Sequence, residues 1–281
     1  MAVRLIVSDI DGTLVGKSGK VSERTLNAFR ACEKKNIPVV VASGRTFYGA
    51  RNLALEAGLN APIISANGGR CDMDVTGENA PVYEDTLDKD TSMAVYNRLK
   101  KAGCFMTSYV GKKIYVLNET NGFGSTCAWK SEAVKGLDYV FVDDEELFLK
   151  EGTIAPYKYE AYSDDKNLMD ELRNDFLKMG LSVSSAFPFN LEIMPAGGGK
   201  AKAIRALSEK MGITMDEVMT IGDGSNDLGM IEVSGVSVAM GNAVEALKKA
   251  AKIIAPSVED DGAAIMIEKY ALLEEKLCCL V

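Results

Sequence analysis

The chain has no histidine in 281 residues. That absence removes the usual general base, any Ser-His-Asp triad and any histidine-ligated zinc site. Proton transfer must fall to carboxylates, lysine, tyrosine or cysteine. The six cysteines (Cys32, Cys71, Cys104, Cys127, Cys278 and Cys279) include no Cys-x-x-Cys pair, and their scatter suits reduced thiols in a cytosol. The adjacent Cys278-Cys279 pair is open to oxidation or lipidation, but a frayed tail is the simpler reading. No stretch approaches the ~20 apolar residues of a membrane span, and Met1 to Ser8 is too short an apolar run for a signal peptide. A soluble, cytoplasmic protein without a membrane partner is expected. Positive charge is also lacking. A net charge of −8 speaks against a nucleic-acid backbone binder, though a local metal and lysine can still hold a small anion. There are no internal repeats, low-complexity segments or long linkers.

What is present is an ordinary globular composition, 47% hydrophobic and 26% charged, in a chain long enough for one large or two modest domains. Residues 3–8 form an apolar run rich in β-branched side chains, the mark of a buried parallel strand. It stops at Asp9-Ile10-Asp11-Gly12-Thr13-Leu14. In an open α/β sheet, ligands gather at the carboxyl ends of strands, so both carboxylates reach the rim of a crevice. They repel one another unless a cation lies between them. Taken alone, Asp-x-Asp-Gly is equally a strand end with a turn.

Ser22 is a plausible N-cap for a helix carrying Leu26, Phe29, Ala31 and Cys32. Ile37 to Ala42 reads as a second strand ending in Ser43-Gly44-Arg45, before a helix over Thr46–Ala57. A serine hydroxyl beside a glycine suits a phosphoryl oxygen, and exposed backbone N–H groups add to the grip. For this tripeptide taken alone, a helix cap and turn is the stronger explanation. A third strand, Ile63-Ile64-Ser65, leads to Asn67, a residue tolerant of positive φ. Residues 71–85 pattern as a hairpin.

From 85 to 189 the texture changes to a helix (88–102), strands at 105–110 and 113–117, further strands at 139–142, 157–162, 181–186 and 191–194, and a helix at 166–179. Most of the tyrosines and the one tryptophan, Trp129, lie here. Aromatics can pack on a sugar or ring face but more often fill a core. After Pro195, Gly197-Gly198-Gly199-Lys200 opens a helix expected over 202–211. This is not a Walker A loop, since Ala201 replaces the magnesium-binding hydroxyl. Lys202 competes with Lys200 for any phosphate-binding role, and the Gly-Lys position favours Lys200. A strand over 217–221 ends in Gly222-Asp223-Gly224-Ser225-Asn226-Asp227. Two carboxylates and an amide at one strand tip are costly to cluster without a cation, and magnesium suits such oxygen donors. Strands follow at 236–240 and 252–255.

Four pieces in order, Asp9-x-Asp11-Gly-Thr-Leu, Ser43-Gly44-Arg45, Lys200 and Gly222-Asp223-x-x-Asn226-Asp227, resemble the motifs of the haloacid dehalogenase-like phosphatases. The helix-strand-strand insert, with Ala239-Met240-Gly241-Asn242-Ala243 and Asp261-Gly262, resembles the Cof-type branch and its C2B cap. The resemblance implies an α/β fold: a Rossmann-like parallel-sheet core (1–84 and 190–281) with an inserted α+β cap domain (85–189). It implies Asp9 as nucleophile and Asp11 as acid and base. It further implies Mg2+ on Asp9, the Asp11 carbonyl and Asp223. Ser43, Gly44 and Lys200 would bind the phosphoryl group, with Asn226 and Asp227 in support. The expected partner is a small phosphorylated metabolite, a sugar phosphate first, and the expected assembly a monomer or homodimer. A sugar phosphomutase of the same superfamily, or a non-catalytic sugar-phosphate-binding regulator, are the alternative readings; a P-type ATPase core lacks the second carboxylate.

Overall fold

The computed structural model describes residues 2–116, 139–142, 155–185 and 189–273. Trp129, Cys127, Cys278 and Cys279 lie outside these residues, as do Leu117 and Ala186 at the ends of two expected strands.

The apolar run at the start becomes β1 (Leu5–Ser8), buried on all sides. Ser22 caps α1 (Glu23–Lys34) by accepting from the Thr25 N–H. Thr25 and Ala28, with Phe29 and Cys32, form the buried stripe; Leu26 and Ala31 lie at its margin. Next come β2 (Val39–Ala42), α2 (Phe47–Glu56) capped by Thr46, and β3 (Ile63–Ser65). The expected hairpin is β4 (Arg70–Asp72) with β5 (Tyr83–Glu84).

The chain then leaves for a second unit and returns through α5. That unit contains α3 (Lys89–Ala102), β6 (Phe105–Val110), β7 (Lys113–Val116), β8 (Tyr139–Phe141), β9 (Lys158–Tyr162), α4 (Lys166–Lys178), β10 (Ser182–Ser184) and β11 (Asn190–Met194). After α5 (Lys200–Met211) come β12 (Val218–Gly222), α6 (Leu228–Val233), β13 (Val236–Ala239), α7 (Glu245–Ala250), β14 (Ile253–Ile254) and α8 (Gly262–Ile267).

Two sheets result. The first runs β14-β13-β12-β1-β2-β3-β4-β5, parallel from β14 through β3 and antiparallel at its β4-β5 edge. The central strand β1 sits between β12 and β2, so the order reverses there and a crevice opens at its carboxyl end. The second sheet, β10-β11-β9-β6-β7-β8, is antiparallel except for the β7–β8 pair. Each sheet carries its own apolar core.

Two expectations need correction. Residues 190–194 pair with β9 and β10 in the second sheet, so the return to the first unit falls at Pro195 rather than at residue 190. The alternation of Leu191 and Ile193 with polar neighbours already marked a strand, and β9 supplies its partner. The helix expected from Lys202 begins at Lys200, because Gly199 adopts φ 147°, a geometry open to glycine, and lets the first turn start two residues earlier.

The second unit's core is α3 and α4 laid on one sheet face, with Phe176 completely buried between them and the strands. Phe176→Ala should lower stability by about 3–5 kcal/mol in urea unfolding. A loss below ~1 kcal/mol would show that this face is not a packed core.

Candidate active site

The strand order brings three tips together. Asp9 follows β1, Ser43 follows β2 and Asp223 follows β12, and β12, β1 and β2 are consecutive in the sheet. The backbone continues the pairing at the tip, where the Asp9 N–H donates to the Ile221 carbonyl (2.9 Å).

Lys200 joins these tips. Its Nζ donates to Asp9 Oδ1 (2.5 Å) and to Asp227 Oδ1 (2.6 Å), and all three side chains are buried. Burial by itself would lower the Lys200 ammonium, but Asp227 and Asp9 more than offset it and hold it above its ordinary value. The other Asp227 oxygen accepts from the Asp223 and Gly224 N–H groups, both at 2.9 Å. Asp227 thereby shapes the turn that presents Asp223. Lys202, the alternative to Lys200, instead donates to Asp85 (3.0 Å) and the Ala196 carbonyl (2.9 Å).

Asp223 is held from the far side of the crevice, where Thr13 Oγ1 donates to its Oδ1 (2.8 Å). Gly12 makes this approach possible, since a Cβ there would lie 2.2 Å from Asp223 Oδ2, and its φ of +85° already favours glycine. Asn242 donates to the Gly12 carbonyl (2.8 Å) and accepts from the Val258 N–H (2.9 Å), bracing the same loop.

Carboxylate oxygens of Asp9, Asp223 and Asp227 lie within 4.8 Å of one another. Burial pushes Asp9 up to about 8, with Asp227 and Asp223 adding to the rise and Lys200 opposing it. Burial likewise lifts Asp223 to about 6, opposed by the Thr13 hydrogen bond and helped by Asp227. Three clustered carboxylates against one ammonium leave an unmet demand for positive charge. The donors are all hard oxygens, which fits magnesium. Asp227 is committed to Lys200 and two backbone N–H groups, so Asp9 and Asp223 are the carboxylates suited to the ion.

The remaining expected residues are gathered here too. Ser43 is buried, with its Oγ accepting from the Arg45 N–H (3.2 Å), and Ser43 and Gly44 line a cavity of about 450 Å³ together with Asp9, Asp11, Asp223 and Asn226. Asn226 donates to Asn67 Oδ1 (3.0 Å) and Asn67 adopts φ 55°, as its turn requires. Asp11 points elsewhere than a bare motif suggests, for Arg45 grips its carboxylate through Nε (2.9 Å) and Nη2 (2.6 Å). Arg45 was given no role by the sequence reading, although it stands inside the second motif. Also missed was the far wall of the cavity, where Tyr109, Glu160, Tyr162, Asn190 and Glu192 come from the second sheet. The alternating charges of Lys158-Tyr159-Glu160 were the available signal.

No thiol competes as nucleophile among the described residues. Cys32, Cys71 and Cys104 are buried, and burial pushes them up to about 11, 12 and 11 respectively.

The haloacid dehalogenase-like hydrolase family matches residues 6–267. The chain is 30% identical over 275 residues to the 5-amino-6-(5-phospho-D-ribitylamino)uracil phosphatase YcsE of Bacillus subtilis strain 168, covering 96% of each chain. A putative phosphatase of Streptococcus pyogenes serotype M6 is 30% identical over 279 residues, covering 97% of this chain and 100% of the other. A haloacid dehalogenase-like hydrolase from Bacteroides thetaiotaomicron superposes with a TM-score of 0.78 at 30% identity, over 95% of this chain and 99% of that one. With strand-tip carboxylates, a buried lysine and a match running through both units of the fold, the chain belongs to the haloacid dehalogenase-like hydrolases.

Proposed function

We propose that this protein is a magnesium-dependent phosphatase of small phosphorylated metabolites, sugar and sugar-alcohol phosphates first, working through an aspartyl-phosphate on Asp9. The observation that carries the reading is the placement of Asp9 at the central strand tip, where Lys200 fixes its carboxylate and Ser43, Asp223 and Asp11 share one cavity.

Asp9 attacks phosphorus in line and the ester oxygen departs, which splits a slow hydrolysis into two steps. Lys200, with one proton on Asp9 and one on Asp227, holds the attacking carboxylate in a single orientation and offsets charge on the phosphoryl oxygens. Ser43 and the Gly44 backbone grip those oxygens from the β2 tip. Asp11 gives its proton to the departing alkoxide, then as carboxylate takes one from the water that releases phosphate. To do so it leaves the Arg45 fork, and an Asp11 side chain 60% exposed to solvent has room to turn. Asp9, the Asp11 carbonyl and Asp223 would hold the magnesium ion, which supplies Lewis-acid neutralisation of charge on the transferring group. Asn226 and Asp227 keep the third tip in place.

The second unit acts as a cap. It closes one side of the cavity, and Ser225 Oγ donates across to the Ser185 carbonyl (3.2 Å). A half-open cavity of about 450 Å³, walled on one side by this unit, suits a small molecule and turns away a folded phosphoprotein. YcsE is named for a substrate with a phosphorylated ribityl chain, which supports a polyhydroxylated leaving group.

Asp9→Asn should abolish turnover while leaving the fold intact. Asp11→Asn should slow turnover by roughly 10²–10⁴-fold and accumulate aspartyl-phosphate, read by mass spectrometry of the acid-quenched enzyme. Substantial turnover by the Asp9→Asn enzyme would refute the covalent route.

A chelator should remove activity and magnesium restore it, with calcium a poor substitute because it takes more ligands at longer distances. Asp223→Asn should raise the magnesium concentration needed for half-maximal rate. Undiminished phosphate release after exhaustive chelation is incompatible with the carboxylate site.

Phosphate release from a panel of phosphorylated metabolites tests the substrate class directly. At least one hexose, pentose or pentitol phosphate should be hydrolysed and phosphopeptides should not. Silence on every sugar and polyol phosphate with strong phosphopeptide hydrolysis would overturn it.

A further inference from the structure

The second sheet has two unlike faces. Tyr159, Ala161, Leu191, Ile193 and Met106 point to α3 and α4 and are apolar core. The alternate positions of the same strands point the other way. Lys158, Glu160 and Tyr162 follow one another on that face of β9, while Asn190 and Glu192 stand opposite Tyr162 and Glu160 on β11. Glu160 and Glu192 are 5% and 3% exposed, yet both line the cavity that holds Asp9.

Two like charges placed directly across a strand pair repel. Lys158 relieves this by donating to Glu160 Oε1 (2.6 Å) and Glu192 Oε1 (2.7 Å), with its ammonium 4.2 Å from the centre of the Tyr109 ring. Its donors are thereby spent within the wall. Burial would lower Lys158, but the two glutamates hold it above its ordinary value; burial would raise Glu192, but Lys158 holds it below. The remaining carboxylate oxygens accept from Tyr162 (2.7 Å to Glu160 Oε2) and Ser184 (2.8 Å to Glu192 Oε2). Each carboxylate oxygen has two lone pairs, so each glutamate still offers acceptor capacity to the cavity. The wall presents acceptors and a net negative charge. Arg45 is the only cation among the described residues lining the cavity, against Asp9, Asp11, Glu160, Glu192 and Asp223, and it stands beside Ser43 and Gly44 at the β2 tip rather than on this wall.

We infer that Glu160 and Glu192, held by Lys158, form the leaving-group subsite, and that it selects phosphate monoesters of uncharged polyhydroxy alcohols while rejecting leaving groups that carry a second anion. This deepens the phosphatase reading and rests on it. Hydroxyl groups donate to the glutamates. A carboxylate or second phosphate meets like charge in a low-dielectric wall whose one cation among the described residues, Lys158, is spent on the two glutamates.

Glucitol 6-phosphate and 6-phosphogluconate differ only in a terminal CH2OH against a carboxylate, and a generic aryl phosphate serves as the reference. The wild-type enzyme with magnesium should favour glucitol 6-phosphate in kcat/KM by about tenfold or more. Glu160→Gln keeps the shape and removes the charge, and should shrink that preference by roughly fivefold or more. Glu192→Gln should act in the same direction and provides the test if the first variant does not fold. An equal or higher kcat/KM for 6-phosphogluconate, or a preference unmoved in a folded variant, overturns the subsite. So does turnover of the aryl phosphate with neither six-carbon substrate used. No phosphate release from any of the three overturns the phosphatase reading itself.

Discussion

The lysine ammonium at the start of α5 is the constraint on which the site depends. Lys200 is buried between Asp9 and Asp227, so the tip of β1, the turn after β12 and the first turn of a helix arriving from the second unit meet at one nitrogen. Removing Lys200 would leave two buried carboxylates uncompensated, at a cost of about 3–5 kcal/mol. Backbone geometry serves the same junction. A Cβ at Gly68 would lie 2.5 Å from the Gly199 carbonyl oxygen, so the turn after β3 and the start of α5 come together only because a glycine stands there. Lysine placement, the clustering of the carboxylates and the orientation of the Asp9 side chain are therefore one arrangement rather than three.

Around this point charge is arranged in layers. The carboxylates nearest the reacting position exceed the cations; burial, with that like charge added, lifts Asp9 and Asp223, and the cluster could hold a divalent ion. Farther out, the wall formed by β9 and β11 is also negative, its two glutamates only half offset by Lys158. On the proposed reading the first layer would serve the phosphoryl group and the second would face whatever is attached to it. A sheet with period-two alternation provides both a packed apolar face and a polar cavity wall from the same residues.

Much of the site was legible in the sequence because its residues follow strand ends. Asp9, Asp11, Ser43, Asp223 and Asp227 each stand just after an apolar run, and parallel strands deliver such residues to one edge. The Gly-Lys position favoured Lys200 over Lys202, and the physical reason lies in the helix that Gly199 caps, which points Lys200 inward and leaves Lys202 to Asp85. Nor was the partner of Asp11, since Arg45 approaches from a different strand tip.

The sequence by itself determined the element types, the order of the motifs and the strand-tip location of the acidic residues, because hydrophobic periodicity and turn residues are local properties. Only the tertiary structure decided that Glu160 and Glu192 stand opposite one another on the wall of the cavity that Asp9 also lines, that Lys158 is buried between them, and that β11 belongs to the second sheet. Those facts depend on register between strands some thirty residues apart, as in the pairing of Glu160 with Glu192. Register is set by packing one face of the sheet against helices, and no local stretch of chain carries it.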